Sequence, residues 1–432
     1  MKITIILSLL IISLSVSHAQ QLITAQDAVS VALKNNYDIL VAHNSASIDS
    51  VNNTPGNAGM LPNIAITGSN SYSPSNNVDQ KLSDGTQLTS SNAQSNSLIA
   101  GVGLNWTLFD GGKMFVTKKK LNEIQALGEI QFKDRVLQTV YDVILAYYDV
   151  VRQKQQLASI NEVITYNLER VKISQTTFDA GLSAKTNLLQ AKIDLNVFQE
   201  NALNQQSVII AAKRTLNQLL SREVDIPFEV LDSIPLNYVP DKKELVQKLD
   251  SSNTSILAFQ KQVTVSKLSI REMNTLLLPK INFNAGYGLS QSDNKVGSTL
   301  MNRTYGPQIG GTISIPIYQS GNVIRQIKTA KIQLQSAEYE LESTKLQVNG
   351  QLQNALTQFE NQQQLLKIEK DNAILAKENL EITIQRLRYG QTTSLEVTLA
   401  EGSFVESLTR LINFEYNLKV AETKLKQLLA RL

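Results

Sequence analysis

The chain has 432 residues, with 41 basic against 38 acidic side chains and a formal charge of +3, too little to argue for nucleic acid or an anionic surface as partner. It is 42% hydrophobic, 18% charged and has no cysteine. Disulfides, thiolate zinc sites and a lipid on an N-terminal cysteine are thereby excluded.

The chain opens MKITIILSLLIISLSVSHAQ: one Lys, an apolar core from Ile3 to Val16, then small and polar residues ending Ser17-His18-Ala19. This predicts a secretory signal peptide over 1–19, too short and wrongly flanked for a retained anchor. No later segment reaches ~18 uninterrupted apolar residues, so no transmembrane helix is expected.

Beyond it the chain is written twice. Thr107–Gly112 (TLFDGG) matches Pro316–Gly321 (PIYQSG) 209 positions on, and Gly181 matches Gly390 at the same offset. Met60–Ile66 (MLPNIAI) matches Leu277–Phe283 (LLPKINF) at offset 217, so the halves differ mainly in one loop. Two repeats follow, 20–227 and 228–432, each predicted as helix, strand, strand, long helix, helix.

The opening helices carry capping-box patterns at Thr24–Asp27 and Asp241–Glu244 and are expected to end near Pro62 and Pro279. Period-2 alternation then predicts strands at about 63–73 and 98–109, and at 281–290 and 307–318, joined by polar loops at 74–97 and 290–306. One face is apolar (Ile281, Phe283, Ala285, Tyr287), the other polar or small (Asn282, Asn284, Gly286, Gly288). This pattern suits a transmembrane β-barrel, and equally a hairpin packed on a soluble core. If the strands lie in lipid, four cannot close a barrel, so the barrel must be shared between copies.

No proline interrupts 113–226 or 322–432. A seam with alternating steps of four and three runs from Val136 through Val140, Val143, Tyr147 and Val150 to Leu168 and Phe178, with polar breaks at Lys154 and Asn161. Leu352, Leu356, Phe359, Leu366, Leu380, Ile384 and Leu387 repeat it 209 positions on. A period of about 3.5 sustained this long predicts coiled coil, and a helix over 113–178 would be roughly 100 Å long. Gly181 and Gly390 read as the left-handed ends of these helices, with Ser183 and Thr392–Ser394 capping the returning ones. A glycine tolerated mid-helix, at a cost of roughly 1 kcal/mol, is the plainer reading.

Catalytic chemistry is missing. His18 leaves with the signal peptide, His43 has no metal-spaced neighbour, and neither a phosphate loop nor a nucleophile elbow occurs. The chain is read as no enzyme, with no cofactor and no metal.

In order and duplication these features resemble the TolC family of outer-membrane efflux proteins, over essentially the whole mature chain. The resemblance implies a mainly α fold with a membrane β-barrel part, and a homotrimer forming a continuous α-barrel and β-barrel tunnel. It also implies a location in the outer membrane with a long periplasmic helical part. The partners it implies are a periplasmic adaptor (membrane fusion) protein, an inner-membrane pump of RND or ABC type and outer-membrane lipid, without nucleic acid. The function implied is a passive exit channel of a tripartite efflux or type I secretion system. Phe178, Gly181, Leu182, Thr186 and Asn187 resemble the family's first helix tip, and Arg386, Gly390, Leu395, Glu396 and Val397 its second. These are the positions that touch the adaptor in the family. The two acidic entrance rings of the family's best-known member fall on Glu396 and Leu399, and that member's ionic-lock positions on Asn187, Leu387 and Thr392. The lock is therefore not carried over; Glu396, Leu387 and Leu399 are the candidate entrance gate, with Glu396 equally readable as a solvated face residue. The competing reading is a secreted or periplasmic coiled-coil scaffold or adhesin.

Overall fold

A computed structural model describes residues 21–297 and 299–432. The expected signal peptide, 1–19, lies outside the described residues. The described residues form two units: 21–44 with Gln131–Leu257 and Thr344–Leu432, and Ser45–Ile130 with Ala258–Ser343.

The helical unit begins with β1 (Gln21–Ile23), α1 (Ala25–Asn35) and the start of α2 (Tyr37–Asn52). Thr24 and Asp27 form the expected capping box. The opening helix is not continuous, however. It breaks at Asn36, and its counterpart breaks at Asn253 between α5 (Lys242–Ser252) and α6 (Thr254–Thr275). Sequence periodicity missed both breaks, because a single Asn disturbs no apolar pattern. Asn36 donates from Nδ2 to Leu219 O (2.8 Å) and accepts at Oδ1 from the Asp38 and Ile39 amides. Asn253 donates to Leu428 O (3.0 Å) and accepts from the Ile256 amide. Each buried amide thus ties the opening helix of its repeat to the last turn of the closing one. Truncating Asn36 to Ala strands those partners away from water and should destabilise the protein by about 2 kcal/mol, read as a lowered urea midpoint at unchanged m-value.

Two 67-residue helices, α3 (Lys113–Asp179) and α7 (Asn322–Arg388), each contribute to both units. They return as α4 (Lys185–Leu219) and α8 (Ser394–Leu428). The segment after α4 supplies β4 (Phe228–Val230), which pairs in parallel with β1. Fully buried Tyr147 pins the pair: its hydroxyl donates to Ile23 O and accepts from the Leu231 amide. The polar break at Lys154 has its cause here, since Nζ reaches Glu229, Asp232 and Val230 O at 2.9–3.2 Å. In α7 the expected seam stays inside, with Leu352, Leu356, Phe359, Leu366, Leu380 and Ile384 buried. In the tip half of α3 it does not. Val163, Asn167, Arg170 and Ser174 are buried instead, and Leu168 is 51% exposed. The inward face there is one residue off the apolar seam because Arg170 and Asn167 have polar partners on α4 and α8.

The other unit holds a four-stranded antiparallel sheet in the order β2 (Asn63–Lys81), β3 (Gln87–Asp110), β5 (Lys280–Asn294), β6 (Met301–Ser314). Registers such as Ile66↔Val102, Val102↔Tyr287 and Ala285↔Ile309 gather the apolar side chains on one face. The opposite face pairs Gly101 with Gly288 and Gly103 with Gly286. The strands run further than their apolar alternation predicts: the expected loops shrink to the turns 82–86 and 295–300. Polar Ser, Thr, Asn and Gln keep the ladder going past Tyr72, because backbone pairing needs no apolar face where both sides are wet. At the other end β6 stops at Ser314, short of 318; Pro316 has no N–H to donate. Among the described residues nothing pairs with the outer edges of β2 and β6.

Candidate functional site: the two helix tips

Both hairpin tips are built alike from backbone hydrogen bonds. Gly181 N–H donates to Phe178 O and Leu182 N–H to Thr177 O; Gly390 N–H donates to Leu387 O and Gln391 N–H to Arg386 O. This is the Schellman closure, and it needs a left-handed residue at its corner. Gly181 has φ 73° and Gly390 φ 71°. The returning helices start differently. Thr393 caps α8 by accepting from the Glu396 amide, whereas α4 starts after Ala184 with no side-chain cap. Ser183 sits one residue too early to cap and accepts from Asn187 Nδ2 instead.

Leu182, Leu395 and Leu399 are exposed, as are Thr186 and Asn187, and Phe178 is half-buried. Val397 is 1% exposed, packed with Val163, Leu380, Ile384 and Phe404, so it supports the tip from inside. Leu387 packs against the same cluster. Arg386 and Glu396 come together across the second tip: Nη1 lies 3.6 Å from Oε2, Nη2 donates to Gln391 O (3.1 Å), and Thr392 Oγ1 donates to Glu396. Glu396 is thus an exposed, partnered carboxylate at the first turn of α8, where the helix dipole favours it.

A ladder of polar links, invisible in the sequence because its members lie 215 or more positions apart, joins α3 to α7. Lys377 pairs with Glu162 at 2.8 Å, Tyr166 donates to Glu381 at 3.1 Å, and Arg388 pairs with Glu169. Beside it Leu168, Glu169, Lys172, Ile173, Thr176, Thr177 and Arg388 line an open groove of about 550 Å³. No cluster of metal-ligating side chains occurs among the described residues. His43 packs edge-on against Phe132.

Duplicated strand hairpins with one apolar face, each followed by a long helical hairpin with a glycine-closed tip, define the subunit of an outer-membrane channel. The chain belongs to the outer membrane efflux protein family, whose model matches residues 28–222 and 245–431. It is 25% identical over 325 residues to the outer membrane efflux protein BepC of Brucella suis, covering 74% of this chain and 69% of that one. It is 21% identical over 420 residues to the proteases secretion protein PrtF of Dickeya chrysanthemi, covering 95% and 88%. To the outer membrane protein TolC of Escherichia coli it is 21% identical over 355 residues, covering 78% and 70%. Among solved structures, CusC superposes with a TM-score of 0.77 at 17% identity, covering 94% of this chain and 91% of that one. VceC of Vibrio cholerae superposes at 0.76 and 16%, covering 94% and 96%. The family is one of outer-membrane channels rather than enzymes, and the chain is a protein of the cell outer membrane.

Proposed function

We propose that three copies of this chain close into one passive exit duct, driven by an inner-membrane pump of RND or ABC type and joined to it by a periplasmic adaptor. The observation that carries this reading is the sheet with two open edges. An apolar-faced sheet in lipid cannot leave edge amides and carbonyls unpaired, so β2 of one copy must meet β6 of the next. Three four-stranded sheets then make a twelve-stranded barrel. The helical unit supports the same assembly through exposed apolar stripes. Ile368, Leu375 and Ile382 on α7 and Tyr389 just beyond its end recur every seven residues, and Leu182, Leu189, Leu203 and Ile210 keep heptad register before and along α4. Such seams suit a neighbouring helix. The tips around Gly181 and Gly390, with exposed Leu182, Thr186, Asn187 and Leu395, are the adaptor's docking positions. Glu396, Leu387 and Leu399 border the entrance. Relatives named for efflux and for proteases secretion support reading the duct as an exit for small molecules or proteins.

Purified protein, crosslinked to count subunits and added to a planar bilayer, is expected to give trimers that conduct ions with cation preference. Glu396→Gln is expected to lower that preference, since three carboxylates around a narrow mouth attract cations. Protein that never inserts would reject the channel; unchanged selectivity in the variant would place Glu396 away from the ion path.

A further inference from the structure

The tip half of the helical unit buries more negative than positive charge. Arg170 of α3 is 1% exposed and Glu401 of α8 is 2% exposed. Arg170 Nη1 lies 2.9 Å from Asp194 Oδ2 of α4 and 3.4 Å from Glu401 Oε2. Its Nη2 donates to Ser394 Oγ at 2.8 Å. Fully buried Asn167 donates to Val163 O and to Glu401 Oε1, while its Oδ1 has no partner among the described residues. One guanidinium therefore faces two carboxylates beside the apolar cluster of Val163, Leu380, Ile384 and Phe404.

Among the described residues no other cation pairs with Asp194 or Glu401. On α7 the nearby Leu380 and Ile384 are apolar, and its charged groups are engaged elsewhere: Lys377 with Glu162, Arg386 with Glu396, Arg388 with Glu169. On α8 itself, Glu406 pairs with Arg410. Arg170 Nη1 lies nearer to Asp194 but hydrogen-bonds to Glu401, and Asp194 also accepts from Gln190 Nε2 at 2.7 Å. Glu401 is the more deeply buried of the two carboxylates and so the one in excess, and an uncompensated buried charge is strongly disfavoured. Burial pushes the Glu401 carboxyl up to about 7, outweighing the opposing pull of Arg170 and Asn167.

We propose that Glu401 is a proton-operated latch between the two helical hairpins. With its carboxyl neutral, Arg170 serves Asp194 alone and α8 packs against α3 and α4. With the proton released to solvent, the surplus buried charge drives the tips apart. The sign follows from linkage. A carboxyl raised in the packed state stabilises that state fully below its ordinary value of 4.5, and the gain is lost as pH rises through about 7. That loosening would widen the mouth of a duct, a consequence that rests on the channel reading; the latch itself does not.

The absence of native cysteine allows spin labels at Leu182→Cys and Leu395→Cys, both exposed on the tips. Labelled full-length protein, diluted into unlabelled protein, is followed by pulsed-EPR distance between about pH 5 and 9, a window spanning the expected titration. The tip-to-tip distribution should be narrow in acid and lengthen with a midpoint near neutrality. Glu401→Gln, a neutral isostere, should hold the acid distribution throughout. Asp194→Asn frees Arg170 for Glu401 and should lower the midpoint by about one pH unit or more, tenfold in proton affinity. A transition that persists in Glu401→Gln, an unmoved midpoint in Asp194→Asn, or no transition in the parent protein overturns the latch. Loss of conductance alone bears on the channel reading and leaves these distances as they are.

Discussion

Replacing Gly181 and Gly390 with valine is expected to leave assembled protein in the outer membrane while export falls by at least about tenfold, the scale of a lost docking contact worth ~1.4 kcal/mol. A side chain at φ above 70° costs roughly 1–2 kcal/mol in the left-handed region, and β-branching adds to it. Beyond the adjoining residues no atom lies within 4 Å of a Cβ built at either glycine, so the penalty is local backbone strain and the packing behind the tips is spared. The valine corner opens the Schellman closure, releases the carbonyls of Thr177, Phe178, Arg386 and Leu387, and moves Leu182 and Leu395 from their places. The check is retention of a fluorescent amphiphile by cells whose export depends on this chain, with membrane fractionation to confirm insertion. Full export from both variants would remove the tips from the docking surface.

The second large effect is expected at Gly111→Ala, and it falls on folding. Gly111 has φ 74°, and a Cβ there would lie 2.6 Å from Thr275 O and 2.6 Å from Leu278 Cβ. A backbone oxygen and a first side-chain carbon cannot swing aside, so overpacking and the left-handed penalty add to about 3 kcal/mol or more. Gly112, with φ 83° and open space around it, should cost only about 1 kcal/mol when changed to Ala. Thermal midpoints in detergent, with the yield of membrane-inserted protein, test the order Gly111→Ala far below Gly112→Ala and parent. Ser320, the counterpart of Gly111 209 positions on, already carries a side chain at φ 52°, so the close approach is peculiar to the first repeat.

Gly111 shows what kind of information the sequence carries. The TLFDGG motif marked a strand end, and Asp110 caps α3 there by accepting from the Met114 amide. Which of the two glycines was indispensable depended on Thr275 and Leu278, more than 160 positions away. The glycine corners were legible because a Schellman closure is local, within one turn of helix; the expected cap is present only at Thr393, and Ser183 does not cap α4. The seam was legible in α7, where apolar residues face inward along the helix. It misled in the tip half of α3, where Arg170 and Asn167 turned the buried face by one residue.

By itself, then, the sequence determined the duplication, the alternation of strand faces, the continuity of the two long helices and the glycine corners. All of these are set by periodicity or by backbone sterics over a few residues. Only the tertiary structure decided where the opening helices break, which polar residues continue the strands beyond their apolar part, and which charges meet at the tips. Hydrogen bonds such as Asn36 to Leu219 and ion pairs such as Arg170 with Asp194 and Glu401 join residues that no local pattern links. Their energies depend on burial, and burial exists only once the chain has folded.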